Sequence, residues 1–484
     1  VALGAAIFKP VVVGTVARVT NEGNSAAGFG IFYMMVNIGG FVGPIVAGMV
    51  RGWGWEWVFI ACSGWAGVNL LIVLLFYKEP VSKEDSGQKR TLKKVLDDLV
   101  EVLGNLRFFI TVGTVIVGLM VASYLDSVGT SWFDWGYCGA ILSGWIVLNI
   151  LYDLLLPEGS GDPKSPASRG RVFLFKKMHC SNWRFALFLL IMSGFWTSFN
   201  QIFLTMPEYI RDFVDTQPLI FGESDPDDPN VGIASQIATI NEKERAVILE
   251  SIQKLTEAKT AGTLDDKLLE DSSRDLLDSK VRMAPVALKE MIVAGNGDAE
   301  ALTNRIIIQG RQVNPEFIVN FDAGAIVLFQ VMISFFMARF HRFTTMIVGM
   351  VVAAIGIGLS AIAGDTSMIG MGGIVWIVAA GIVIFAFGEM MASPTSQEYV
   401  GRIAPENKKA LYMGYYFVAV ALGNLFGGIL SGTLYGKLAR DMQRPDLMWL
   451  AFGGIMLGTA VVFLLYNRYA LPKHKADTLT PSQT

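Results

Sequence analysis

Ten stretches of this 484-residue chain stay apolar for about twenty residues at a time, the length of helix needed to cross a bilayer core. They are 27–50, 55–77, 108–125, 135–156, 185–206, 315–338, 344–363, 368–391, 411–434 and 447–466. Inside lipid every backbone polar group must be satisfied within the span, so runs of this length become helices. Composition agrees: 17% of residues are charged, against about 25% in soluble domains, and mean hydropathy is +0.47. The expectation is an all-α polytopic membrane protein. Residues 1–17 are also apolar, but they begin without a methionine, a charged leader region or a small-residue cleavage site. They read as a helix entered part-way, in a chain expected to lack its natural start.

Several chemistries are excluded early. Cys62, Cys138 and Cys180 form neither a disulfide framework nor a zinc pattern, and the three histidines do not stand at metal-ligand spacing. P-loop and GxSxG motifs are missing. No catalytic residue, metal site or cofactor is therefore expected, and no nucleic-acid partner.

The net charge of −3 conceals two regions. Residues 212–313 hold 19 acidic and 11 basic residues, a net −8, whereas the remainder carries +5. An acidic insert interrupts a basic membrane body. Alternating spans from a cytoplasmic Arg18 put 22 Lys/Arg inside and five in the short outside loops, which places the insert on the extracytoplasmic side. Its first residues, 222–230, are turn-rich; 241–259 has the spacing of a capped helix, with Asn241, Glu244 and Ile248, Ile252 and Leu255 on one face. Further helices are expected around 264–283 and 299–308. The insert is either a plain helical cap or a surface for substrate capture or a protein partner.

Ionisable residues inside spans are costly and by default functional. Lys9, Asp322 and Glu389 stand out, accompanied by Asn200 and Gln201 deep in one span and Asn314 ahead of Pro315. An amide there can bridge helices or meet a ligand, and a buried acid can satisfy a neighbouring helix, so both readings stay open. Gly39, Gly40, Gly43 and Gly48 thin one span, and Gly423/Gly427 and Gly428/Gly432 form small-xxx-small pairs expected to pack closely.

Specific segments resemble the proton-dependent oligopeptide transporters of the major facilitator superfamily. ALGAAIFKP followed by GFGIFYMMVNIGGFVGPIVAG is similar to that family's fourth and fifth helices, and FWTSFNQ to its seventh. VNPEFIV resembles the start of the eighth, and GEMMASPTSQEYVGRIAP with LYMGYYFVAVALGNLFGG the tenth and eleventh. The resemblance covers about three-quarters of the chain by span order. It implies two six-helix bundles, with an extra helix pair at 108–125 and 135–156 as in bacterial members and helices one to three and part of four missing.

Division of the chain follows: 1–77 as the rest of the first bundle, 78–183 as linkers and the extra pair, 184–211 as the seventh helix. The insert at 212–313, helices eight to twelve at 314–470 and a cytoplasmic tail at 471–484 complete it. The resemblance assigns Lys9 to a peptide carboxylate, Glu389 to the peptide amino end and Asn314 to its backbone. Tyr416 takes the place of a cavity tryptophan, and Asn200 and Gln201 are expected to join these residues in binding substrate. Opposite charges on the two halves would let a zwitterion draw them together.

Two departures alter the expected coupling. The seventh-helix glutamate that carries the proton in the family is Asn200 here, which cannot titrate, and KPN has become Lys9-Pro10-Val11. Asp322 lies eight residues past Asn314, about 12 Å along the helix and about 80° round it. A carboxyl group there could take and release a proton according to its access to water, so Asp322 is expected to replace the missing acid, with Glu389 as its companion. The alternative is a structural bond to a neighbouring amide or lysine. The expected function is proton-driven uptake of di- or tripeptides across a bacterial inner membrane, with the proton gradient as energy source. A transporter of another small organic solute and a receptor-like scaffold using the insert are the alternatives.

Overall fold

Each apolar run closes its own hydrogen bonds as a helix in the computed structural model, which describes residues 2–21, 23–51, 55–78, 105–162, 165–168, 170–179, 182–221, 238–363, 374–405 and 408–471. The turn-rich segment 222–230, most of the linker 78–105, Cys180 and the tail from 472 lie outside the described residues. Among those described, ten helices are long and apolar enough to cross a membrane.

The first three helices are α1 (Ala2–Val19), α2 (Ser25–Arg51) and α3 (Trp55–Phe76), followed by the hairpin α4 (Leu106–Ser127) and α5 (Trp135–Leu155). Side chains cap the hairpin: Asn105 accepts from the Phe108 amide, and Asp134 accepts from those of Gly136 and Tyr137. Arg107, 5% exposed, joins the two helices by an ion pair with Asp153. Leu74, Leu75 and Phe76 of α3 and Leu154 and Leu155 of α5 are exposed, as side chains facing lipid hydrocarbon would be.

After α6 (Trp183–Phe199) the chain continues in αR geometry through Asn200, α7 (Gln201–Leu204), Thr205 and α8 (Met206–Phe213). Pro207 cannot donate a backbone hydrogen bond, which places the interruption at this point. A short α9 (Gln217–Phe221) leads to the insert, whose helices are α10 (Glu242–Ala261), α11 (Asp266–Asp278), α12 (Pro285–Ala294) and α13 (Ala299–Gly310). Asn241 and Glu244 form the reciprocal cap that their spacing implies, and α10 stops at Gly262, whose φ of +73° suits a residue without Cβ. The expected helix over 264–283 is shorter than its pattern. Lys280 takes a φ of +64° and Val281 pairs with Arg311, so α11 ends at Asp278 and a separate helix opens on Pro285. Ile248, Ile252, Leu255, Leu269, Leu276, Leu288, Ile292 and Ile306 give this module its own core.

Beyond it come α14 (Pro315–Val319), α15 (Phe321–Met337), α16 (Arg342–Ala363), α17 (Ile374–Ile403), α18 (Lys409–Leu434) and α19 (Pro445–Leu465), the last two each prolonged by a π turn. The tightest crossing joins α16 and α17. A Cβ on Gly388 would stand 2.4 Å from the Ala353 nitrogen and the Gly349 oxygen, and one on Gly356 would stand 2.5 Å from the Phe385 nitrogen. Of the two glycine pairs read in α18, Gly423 and Gly427 pack on Trp196 and Thr197, whereas Gly428 and Gly432 meet nothing within 4 Å. Gly39, Gly40 and Gly43 also face open space.

Among the described residues, two groups of hydrogen bonds stand out in fastening the insert to the membrane body. The Thr216 amide and hydroxyl donate to the Gln312 side-chain oxygen at 2.7 and 2.8 Å, while the Val313 amide donates to the Thr216 hydroxyl at 2.8 Å. Arg282 then reaches from the insert to the carbonyls of Arg211, Asp212 and Val214, groups at the end of α8 that lack helical partners. Burial pulls the Arg282 guanidinium below its ordinary value, and the carboxylates of Asp215 and Asp212 act the other way. At Asp212 burial also opposes the charge. Hydrogen bonds from Arg211 and Tyr435 and the nearby Arg440 more than offset it, holding the carboxyl below its usual range. Arg282→Met should therefore loosen this junction, with a cost of about 3 kcal/mol for several buried carbonyls losing a charged donor. Hydrogen exchange should accelerate in peptides covering 206–221 and 280–313; unchanged exchange in both would show that the guanidinium is dispensable.

Candidate functional site

Helices α2, α15 and α17 meet because small residues let them approach. Gly30 on α2 lies against Ser334 of α15, and a Cβ there would fall 2.1 Å from the serine hydroxyl. Ala325, Ile326, Ala386 and Met390 form an apolar wall around Tyr33 at this meeting point. Three polar groups are enclosed with it. Tyr33, Asp322 and Glu389 are 8%, 1% and 2% exposed.

The Tyr33 hydroxyl donates to Glu389 Oε1, and the carboxyl of Asp322 is near enough to that of Glu389 for the two to interact electrostatically. Among the described residues Asp322 Oδ1 and Glu389 Oε2 have no hydrogen-bond partner, and neither acid forms an ion pair with a base. Ser393, one turn along α17, also lies beside the Tyr33 hydroxyl. The local backbone explains how Asp322 arrives there. Helix α14 ends at Asn320, whose side-chain amide donates to the Phe41 carbonyl of α2 at 3.0 Å, and α15 begins immediately with Phe321 and Asp322. Two acids from α15 and α17 thus face each other, with a phenol from α2 on one of them.

The other residues singled out in the sequence are dispersed. Lys9 stands exposed on α1 and makes no ion pair with Glu389 among the described residues. Asn314 is half-buried at the start of α14 and its side chain does not cap that helix. Asn200 is 9% exposed at the α6–α7 junction, with its Nδ2 unpartnered. Gln201, fully buried, donates to the carbonyls of Thr197 and Gly427 at 2.8 and 3.1 Å and accepts from the Thr205 hydroxyl at 2.5 Å. It bridges α6–α7 to α18. Tyr416 is enclosed between α18, α17 and α6: its hydroxyl lies 2.7 Å from that of Ser396, and its ring meets Trp196 edge-on.

Sequence reasoning passed over Tyr33. Its signal was present in FYMMVNIG, a phenol in an apolar run four residues before Asn37, whose amide bonds the Tyr33 carbonyl at 3.0 Å. A tyrosine in a span has ordinary packing uses, and only the partner across the helix interface distinguishes this one.

Comparison with known proteins places the chain in a family. A family model described as Major Facilitator Superfamily matches residues 1–125 and 317–482, more than half of the chain. Between the two matched blocks lie α5 to α9 and the insert. A stretch of 82 residues is 34% identical to the Peptide transporter YePEPT of Yersinia enterocolitica subsp. palearctica serotype O:3 (strain YE-P4), covering 16% of this chain. The match spans 15% of that protein's length.

Proposed function

Because the chain belongs to the Major Facilitator Superfamily, a family of transporters, we propose that it is a secondary transporter taking up di- and tripeptides with protons. The observation that carries this reading is the burial of Asp322 and Glu389 side by side between α15 and α17. Two neighbouring buried acids with no base paired to them among the described residues cannot both be ionised, because the repulsion of two charges is barely screened there. A proton held between them belongs to the pair rather than to either residue. When the halves part and water or a peptide ammonium reaches Glu389, that proton can leave to the open side. Proton movement and substrate binding then share one pair of carboxyl groups, the economy a symporter needs.

The segments resembling oligopeptide transporters and the partial match to a peptide transporter support peptides as the substrate class. In this reading Glu389 meets the peptide amino group, Asn314 and Asn200 offer amides to its backbone, and Lys9 takes the carboxylate once the halves rearrange. Gln201 and Tyr416 hold the helices that line the path. Asn200, where the family has an acid, leaves Asp322 as the replacement carrier. A second reading, another small organic solute, draws on Asn200, an amide where the resembled family carries a titratable acid. The insert would sit extracytoplasmically in an inner membrane.

Uptake into proteoliposomes separates the two substrate readings. With an inward proton gradient, radiolabelled trialanine should accumulate, and unlabelled di- and tripeptides should compete while free amino acids do not. If no peptide is taken up or competes while another organic solute is accumulated, the peptide assignment fails and the transporter assignment stands.

A further inference from the structure

A second set of polar contacts joins the two halves far from the acid pair. Ser25 opens α2, and its hydroxyl donates to Glu398 Oε1 of α17 at 2.5 Å. Glu398 is 4% exposed and also accepts from Arg342 at 3.1 Å and pairs with Arg402 at 3.3 Å, both from its own half. Arg402 in turn donates to the Ser25 hydroxyl at 3.2 Å. Nearby, the Lys409 ammonium, on a residue 7% exposed, donates to the Ala17 carbonyl in the last turn of α1 at 2.9 Å. That carbonyl belongs to the negative end of the helix, where a cation is favoured. Small residues seal the same level. A Cβ on Gly14 would stand 2.9 Å from the Ala410 Cα, and one on Gly401 would stand 3.1 Å from the Ala17 Cβ.

These contacts lie on the face that carries Arg18, Arg339, Arg342, Arg402, Lys408 and Lys409, cytoplasmic by the positive-inside rule. Within the second half Glu398 is already held by two arginines, so the hydroxyl of Ser25 adds nothing that this half requires. What it adds is a charge-assisted bond to the first half. Lys409 does the same in the opposite sense, a cation of the second half on a carbonyl of the first. Both bonds exist only while this face is shut, so they weigh on the equilibrium between conformations.

We infer that Ser25 and Lys409 are positioning residues of the transport cycle that latch the cytoplasmic face closed, Ser25 on Glu398 and Lys409 on the end of α1. This does not depend on which solute is carried or on proton coupling. The geometry makes Ser25→Ala the selective variant, since it leaves the Glu398–Arg342–Arg402 cluster intact, and Ser25→Thr the rescue, since it restores the hydroxyl.

The test reads exposure of Ala17, which is 5% exposed and packed on Gly401. Ala17→Cys is placed in the intact transporter with Cys62, Cys138 and Cys180 changed to serine, and labelled with a membrane-impermeant maleimide in inside-out vesicles. Ser25→Ala and Lys409→Met should each raise the labelling rate about tenfold, the shift that one charge-assisted hydrogen bond supports, and Ser25→Thr should return it towards the parent. Ile318→Cys, at the opposite end and 1% exposed, reports general loosening in right-side-out vesicles and should not rise. Unchanged labelling at Ala17 in both variants, or an equal rise at both ends, would overturn the latch. Should Ser25→Ala give no folded protein, Lys409→Met carries the same expected rise and the same overturning result.

Discussion

Asp322→Asn should abolish concentrative uptake while leaving the protein folded and able to exchange substrate. The reason is arithmetic as well as chemical. One pH unit is worth about 1.4 kcal/mol, so a transporter coupled to one proton can accumulate its solute about tenfold for each unit of gradient. An uncoupled carrier stops at equal concentrations. Asparagine nearly matches aspartate in size and can still hydrogen-bond to Glu389, but it cannot take a proton from the pair. In proteoliposomes with a two-unit gradient, the parent should accumulate solute towards about a hundredfold and the variant towards unity, with counterflow retained in both. Equal accumulation by the two would remove Asp322 from the coupling path. Tyr33→Phe should be milder, because it removes the phenolic hydrogen bond and leaves both acids.

The largest structural effect should come from Gly388→Val. The valine Cβ would begin within 2.4 Å of backbone atoms on α16, and backbone cannot swing aside as a flexible side chain can. The α16–α17 crossing must widen, which opens the packing of Phe385, Met350 and Ile357, all fully buried. Overpacking on this scale costs about 3 kcal/mol or more, enough to eliminate the monodisperse peak on fluorescence-detected size exclusion. Gly428→Val is the matched control: nothing among the described residues lies within 4 Å of it, so the peak should survive. If both variants elute like the parent, the close crossing is not needed for folding; if both are lost, glycine content rather than contact is what matters.

These two glycines mark where reading the sequence was productive and where it was not. Small-xxx-small spacing in α18 predicts close packing twice, and among the described residues one pair packs on α6 while the other meets nothing within 4 Å. The glycines of the α16–α17 crossing lie seven residues apart on each helix, Gly349 and Gly356 on one and Gly381 and Gly388 on the other, and nothing along either helix says which glycine of the partner each will meet. The acid pair shows the same limit. Asp322 and Glu389 each stood out as a costly charge, yet they are 67 residues apart in the chain and nothing local joins them. Ser25 and Glu398 attracted no notice, being an ordinary serine at a helix start and an ordinary acid near a helix end.

What the sequence determined by itself was everything that depends on consecutive residues. The ten spans, the acidic insert with its capped first helix, and the family segments follow from run length, capping spacing and motif order, since the bilayer acts on each stretch in turn. The tertiary structure decided which polar groups meet. Tyr33 reaches Glu389, and Ser25 reaches Glu398, only because α2 crosses α15 and α17 at a particular rotation and height. That crossing is settled by steric fit between distant surfaces, and a hydrophobic pattern that makes two helices equally apolar does not say how they will turn towards each other.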